Sequence, residues 1–401
     1  MSKPIFNSLG SNYSFRFALE AMKQLWFSQK ADQQKLADHL GKEFGGTAFL
    51  FYKGRDAIEF AVRVLECGTD DTILTQAFTC HAIEEGITRA GAETRYVDLA
   101  EDGFNPSVET IQKAVKENKN LSPKALIIQD TLGVPADIKK IHQWCNQQKM
   151  TLIEDLAQAY GGHSSEGKLL GEYGEIVILS FGRDKVVDAV AGGAVVFKRT
   201  EDIEKAKELY EKVSAKLSWI ILCKDMTYPI LTWKIRKTLN IVVGKVIFKI
   251  AKTIGWLTSP IAAPTKIMTK MPSAYAHLAL LQLKDVKKQL AHRREIAELY
   301  NQAFSKQDDI SDRSNLRYPL IVQDPGQLAE ELTQENIFLT DRWYRKAVDY
   351  GSLVRKTVYS QGTCPNAEKL SQNIINLPTH FGITKMDAQR IIEAIKENTH
   401  V

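Results

Sequence analysis

The sequence predicts an α/β protein. A large domain with a mostly parallel seven-stranded sheet between helices is expected, followed by a smaller C-terminal α+β domain. Three observations predict it. Between residues 45 and 200, short apolar runs alternate with stretches of helical periodicity. Several of those runs are apolar throughout, as strands covered on both faces are. The chain has 401 residues, more than one ordinary small domain needs.

The seven runs are residues 48–51, 72–75, 94–99, 125–129, 150–154, 175–180 and 193–197. Each has strand length and strand composition. Residues 55–66 and 137–149, between them, carry apolar side chains at helical spacing. Residues 271–306 read as one long helix bearing Leu278, Leu281, Leu283, Val286, Leu290, Ile296 and Leu299. A strand at 316–322 and helices near 327–335 and 386–397 follow. The expected units are 1–205, a basic amphipathic insertion at 206–270, and 271–401. No internal repeat, low-complexity tract or heptad run is present.

Composition narrows the class. With 44% hydrophobic and 25% charged residues, the chain is neither disordered nor collagen-like. Its first residues, MSKPIFNSLG, place no apolar run behind a basic start, so no secretory signal is expected. Cys67, Cys80, Cys145, Cys223 and Cys364 are odd in number and never spaced as CxxC. They read as free thiols in a reducing compartment, with no metal site. No run of about 18 uncharged apolar residues exists, so no membrane span is expected. The net charge of +5 is uneven: residues 213–270 hold ten basic residues and one acid, Asp225. That segment nets +9 and the remainder −4.

Three short runs carry chemistry. In Thr151-Leu152-Ile153-Glu154-Asp155, a strand ends in two carboxylates. Ligands of open α/β sheets bind beyond the carboxyl ends of strands, so Asp155 can face one; taken alone, a strand-end acid is more often a helix cap. Ile178-Leu179-Ser180-Phe181-Gly182-Arg183-Asp184-Lys185 is another strand end, with Gly192-Gly193 behind it. A lysine there can lose its proton through desolvation and act as a nucleophile; its bland alternative is a surface ion pair with Asp184. Phe51-Tyr52-Lys53-Gly54-Arg55 opens a helix through glycine, and free N–H groups at a helix start bind phosphate. In this order, the three runs supply what pyridoxal phosphate needs: a phosphate cradle, an acid for the ring nitrogen, and a Schiff-base lysine.

Here the sequence resembles the DegT/DnrJ/StrS-type sugar aminotransferases, within fold type I of the pyridoxal-phosphate enzymes. The resemblance rests on Gly54-Arg55-Asp56-Ala57, Ala77-Phe78-Thr79-Cys80, Gly133-Val134-Pro135-Ala136-Asp137-Ile138, Glu154-Asp155-Leu156-Ala157-Gln158 and Ser180-Phe181-Gly182-Arg183-Asp184-Lys185. It implies that Lys185 is the catalytic lysine and that Asp155 pairs with the pyridine nitrogen. Gln158 would lie near the cofactor's phenolic oxygen. Ser180 and the Gly54–Arg55 backbone would hold the phosphate. Cys80 stands where many members carry a ring that stacks on the cofactor, so Cys80 or neighbouring His81 would have to cover it. Some relatives have histidine at the lysine position and dehydrate their substrate; Lys185 favours transamination.

The segment 217–260 has no good counterpart in that resemblance. Ile235, Leu239, Val242, Val243, Val246, Ile247, Ile250, Ile254 and Leu257 repeat the spacing of one helix face, with Lys234, Lys245, Lys249 and Lys252 opposite. Such a helix can lie on an anionic membrane or pack on its own body or dimer mate. Nucleic acid is not expected, because arginine is scarce there.

The reading is therefore a pyridoxal-phosphate aminotransferase. It moves an amino group from an amino acid, glutamate by expectation, to a nucleotide-linked keto-sugar, in surface-glycan or secondary-metabolite biosynthesis. A cytoplasmic homodimer is expected, with residues 217–260 lying either on the inner membrane surface or against the protein's own body or dimer mate. The alternatives are a non-catalytic cofactor-binding sensor or scaffold, and an enzyme acting on a membrane-bound sugar.

Overall fold

The computed structural model describes residues 3–117, 122–239, 241–257, 267–304, 309–339, 342–351 and 357–398. The chain opens on a two-residue strand, β1 (Ile5–Phe6), and helices α1 (Phe15–Lys23) and α2 (Ala31–Phe44). Then come β2 (Thr47–Phe51), α3 (Gly54–Val64), β3 (Thr72–Gln76), β4 (Thr79–Cys80), α4 (Ala82–Ala90), β5 (Glu93–Val97) and α5 (Val108–Lys116). β6 (Pro123–Gln129), α6 (Ile138–Gln148), β7 (Thr151–Asp155), β8 (Ile176–Ser180), β9 (Gly193–Phe197) and α7 (Thr200–Glu211) complete this half.

All seven expected strands join one sheet, in the order β2-β9-β8-β7-β6-β3-β5. β9 runs antiparallel to both neighbours, β8 and β2, and the other pairings are parallel. Alternation along each strand divides the core in two. Leu74, Leu126, Leu152 and Leu179 enter one cluster, and Ile73, Ile127, Ile153 and Ile178 the other. Both faces are thus dry, which is why these strands read as continuous apolar runs.

The second half contains α8 (Trp219–Thr238), α9 (Val242–Thr253), α10 (Ser273–Ala303), β10 (Arg317–Ile321), α11 (Pro325–Gln334), β11 (Ile337–Phe338), β12 (Val348–Asp349), α12 (Pro365–Asn373), β13 (Ile374–Pro378) and α13 (Lys385–Asn398). β10 and β13 pair antiparallel beside a separate core built from α10, α11 and α13. Sequence periodicity misses β13, a five-residue run closed by Pro378, and the two-residue strands, which are too short to show alternation. β1 pairs with β11, and Ile5 enters the C-terminal core, so the first residues join the last unit. α10 spans both cores: Leu278 lies in the large one and Ile296 in the small one.

The single amphipathic helix expected across 235–257 is corrected by the structure. The chain breaks between α8 and α9, where Ile241 is extended. A Cβ on Gly244 would come 2.0 Å from the Thr238 carbonyl oxygen, so α9 folds back tightly against the end of α8. Nor does α8 float. Arg236 donates to the Leu9 carbonyl at 2.8 Å and the Tyr13 carbonyl at 2.9 Å. The rings of Phe15 and Trp233 meet at 4.8 Å.

Candidate active site

The C-terminal ends of β7 and β8 and the start of α3 converge on one cavity. Its lining includes Gly54, Arg55, Cys80, Asp155, Ser180 and Lys185. The fold therefore brings together six of the seven expected site residues, from segments 25 to 75 residues apart.

The cradle comes first. β9 lies so close to the start of α3 that a Cβ on Gly193 would sit 2.6 Å from Gly54 N. A Cβ on Gly54 would sit 3.3 Å from Ser180 Cβ. Glycine at both positions lets a helix start, a strand end and a serine hydroxyl share one small space. Cations surround it. Arg55 is buried and ion-paired with Glu85 of α4. Lys53 lines the cavity, and burial brings its amine down to about 8. Arg183 lines it too, bound to Asp225 at 3.0 Å and lying over the Tyr228 ring at 3.6 Å.

Asp225 is the one acid of the basic segment 213–270. It is buried, and it accepts hydrogen bonds from Tyr52 at 2.7 Å and Tyr275 at 2.9 Å. α8 thereby contributes a charge partner to the cavity's wall.

Asp155 ends β7 and is buried. Its Oδ1 accepts from Ala157 N at 3.0 Å, and no cation pairs with it among the described residues. Burial raises its pKa to about 6, against the opposing pull of the Lys185 charge. Lys185 sits on the loop after β8. Burial lowers its pKa, which favours the neutral amine that a base or nucleophile needs. Its Nζ lies 4.6 Å from the Trp343 ring centroid.

That loop is held in an unusual backbone. Asp184 and Val190 have φ of +64° and +71°. Asp188, fully buried, braces both sides. It accepts from Asp184 N at 2.8 Å, Val190 N at 3.0 Å, Tyr13 Oη at 2.6 Å and Asn12 Nδ2 at 3.2 Å. Asn12 also donates to the Lys185 carbonyl at 3.1 Å. A network of this kind offsets the strain of the left-handed residues.

Gln158 does not line the cavity. It is fully buried behind the wall, accepting from Leu132 N at 2.6 Å and donating to the Tyr344 hydroxyl. Cys80 does line it, on the two-residue strand that pairs with β12. His81 turns into the body, 3.4 Å from Glu84, and is absent from the lining. The aromatic wall comes instead from Trp343 and Tyr344. Sequence reasoning missed both, and also Lys53, Arg183 and Asp225 as parts of the site. Lys53 and Arg183 lay inside the quoted motifs; the other three had no local signal.

These residues fit pyridoxal phosphate. A buried carboxylate has no cation paired with it among the described residues, a desolvated lysine amine stands in the same cavity, and glycine-made space at a helix start is ringed by positive charge.

Comparison with known proteins agrees. The profile of the DegT/DnrJ/EryC1/StrS aminotransferase family matches residues 16–222 and 259–396. GDP-perosamine synthase of Escherichia coli O157:H7 is 22% identical over 404 residues, 98% of each chain. UDP-N-acetyl-3-dehydro-α-D-glucosamine 3-aminotransferase of Acidithiobacillus ferrooxidans is 30% identical over 152 residues, 38% of this chain and 40% of that relative. The alignment with EpsN of Bacillus subtilis, 29% identical over 197 residues, covers 47% of this chain and likewise spans only half of that protein. Among solved structures, an aminotransferase of this family from Brucella abortus superposes with a TM-score of 0.73 at 19% identity, covering 96% of this chain and 95% of that one. Bacillus subtilis NtdA, solved with bound cofactor PMP, gives 0.73 at 17% identity, with 99% and 85% covered. The chain belongs to the DegT/DnrJ/EryC1/StrS aminotransferase family, whose cofactor is pyridoxal phosphate.

Proposed function

We propose that the protein transfers an amino group from an amino acid, glutamate in our reading, to a keto-sugar carried on a nucleotide. The observation that carries the chemistry is the joint presence, in one cavity, of buried Asp155 and the desolvated Lys185 amine. The substrate class rests on relatives named for perosamine and 3-amino-glucosamine synthesis.

Pyridoxal phosphate, when bound, supplies an electron sink that stabilises negative charge at the carbon bearing nitrogen. Asp155 would hold the protonated ring nitrogen, and the charge it meets there would offset its desolvation. The start of α3, Ser180, Arg55 and Gly54 would hold the phosphate, with Lys53 and Arg183 adding field. Lys185 Nζ would take the proton from the substrate carbon that bears nitrogen and hold it for return, as a general base and then acid. Gln158 acts through Tyr344, fixing that wall. The working unit in this proposal is a homodimer, the common closed solution for family sites built at a subunit boundary.

The test is mass spectrometry of products from a panel of nucleotide-linked keto-sugars with glutamate. An amino-sugar product and 2-oxoglutarate are expected. No amination of any acceptor, with full reaction of the bound cofactor with glutamate, would reject the substrate class but not the chemistry.

A further inference from the structure

We propose that the outward face of α9 docks this protein on an anionic membrane surface. α9 packs against α8 through its small residues, Gly244 and Ala251, which are buried. Its apolar side chains face the other way. Val242, Val246, Ile250 and Ile254 are 76%, 48%, 55% and 56% exposed. They recur at intervals of four and form one row along the helix. A water-soluble helix normally buries such a row, so this one lacks a partner among the described residues.

Charge selects the partner. Lys245 and Lys249 follow Val242 and Val246 by three residues, so each stands beside the apolar row. Lys252 continues the basic side, and all three are exposed with no salt bridge among the described residues. Asp225, the segment's one acid, cannot compensate them because it is buried against Arg183. An apolar row bordered by unpaired lysines matches the boundary between acyl chains and anionic headgroups. A second copy of the chain matches it poorly, since a two-fold contact would set the same lysines against one another. No described helix is long and apolar enough to cross a membrane, so the contact is peripheral. The family profile skips residues 223–258, so the family's catalytic fold does not itself require this face.

Liposome co-sedimentation of the cofactor-loaded full chain tests this. The probes are phosphatidylglycerol–phosphatidylcholine vesicles and pure phosphatidylcholine vesicles, at low and high salt. Two variants accompany wild type: Val246→Asp with Ile250→Asp, and Lys245→Glu with Lys249→Glu and Lys252→Glu. Wild type should sediment with anionic vesicles and less so at high salt. The triple lysine reversal should lower partitioning on the order of a hundredfold or more. Both variants should keep wild-type rates on a soluble acceptor and the wild-type oligomeric state, which separates this inference from the reading of the active site. If the aspartate variant fails to fold, the lysine variant still decides. Failure of wild type to bind anionic vesicles overturns the proposal, as does equal binding to neutral ones. A smaller oligomer in the aspartate variant, without vesicle binding by wild type, would assign the face to contact between copies.

Discussion

Arg183 and Asp225 lie 3.0 Å apart, joining the loop that carries Lys185 to helix α8. Both are buried, and the aspartate is shared with the hydroxyls of Tyr52 and Tyr275. Removing one partner of such a pair strands a charge in the interior. Asp225→Ala should cost about 3–5 kcal/mol of stability, read by denaturant unfolding. It should also weaken cofactor retention, because Arg183 lines the cavity. An unchanged unfolding midpoint would mean that Arg183 finds water or another acid.

Lys185→Ala should reduce turnover by at least about a thousandfold, consistent with loss of a general acid–base group. Its amine lies 4.6 Å from the Trp343 ring centroid and no ion pair holds it among the described residues, so the fold should persist. Circular dichroism and a single-turnover assay with glutamate check both halves. Turnover near wild type would remove Lys185 from the chemistry.

Asp155 gives a pH prediction for the cofactor-free protein. Burial raises its pKa from 3.8 to about 6, so folding penalises the ionised form. Stability from this group is fully present below about pH 4 and is lost as pH rises through about 6. The loss approaches about 3 kcal/mol at most. Asp155→Asn should remove that component of the stability–pH curve, measured as a difference from wild type. The same variant should slow both half-reactions, since its amide cannot balance a protonated ring nitrogen.

Gly193→Ala tests the cradle. Its Cβ would meet Gly54 N and the Lys53 carbonyl carbon at 2.6 Å, and backbone cannot rotate away. β9 or the start of α3 must shift, at a cost of about 1–3 kcal/mol. Cofactor affinity should fall with it, read by titration of the visible absorbance. A variant as stable and as tightly loaded as wild type would show that the cradle gives more readily than its packing indicates.

The homodimer is checked by sedimentation of the loaded protein. A fully active monomer would reject it.

Much of this protein was legible in its sequence because the signals are local. A strand covered on both faces must be apolar throughout, so the seven central strands announced themselves as runs. Gly54, Asp155 and Ser180 stand at strand ends or a helix start, with Lys185 on the loop that follows one of them, and those positions follow from the chain alone. What the chain alone does not settle is which distant residues meet there. Trp343 and Tyr344 reach the cavity from a segment with no periodicity. Gln158 stands in the expected motif yet faces Tyr344 from behind the wall. The sharpest case is α8 and α9. Ile235 and Val246 share one apolar spacing in the sequence, yet Ile235 is 0% exposed and Val246 48%. Periodicity identifies an apolar face but not what covers it. Only the break after α8, and the seating of Asp225 on Arg183, made one helix part of the core and turned the other outward.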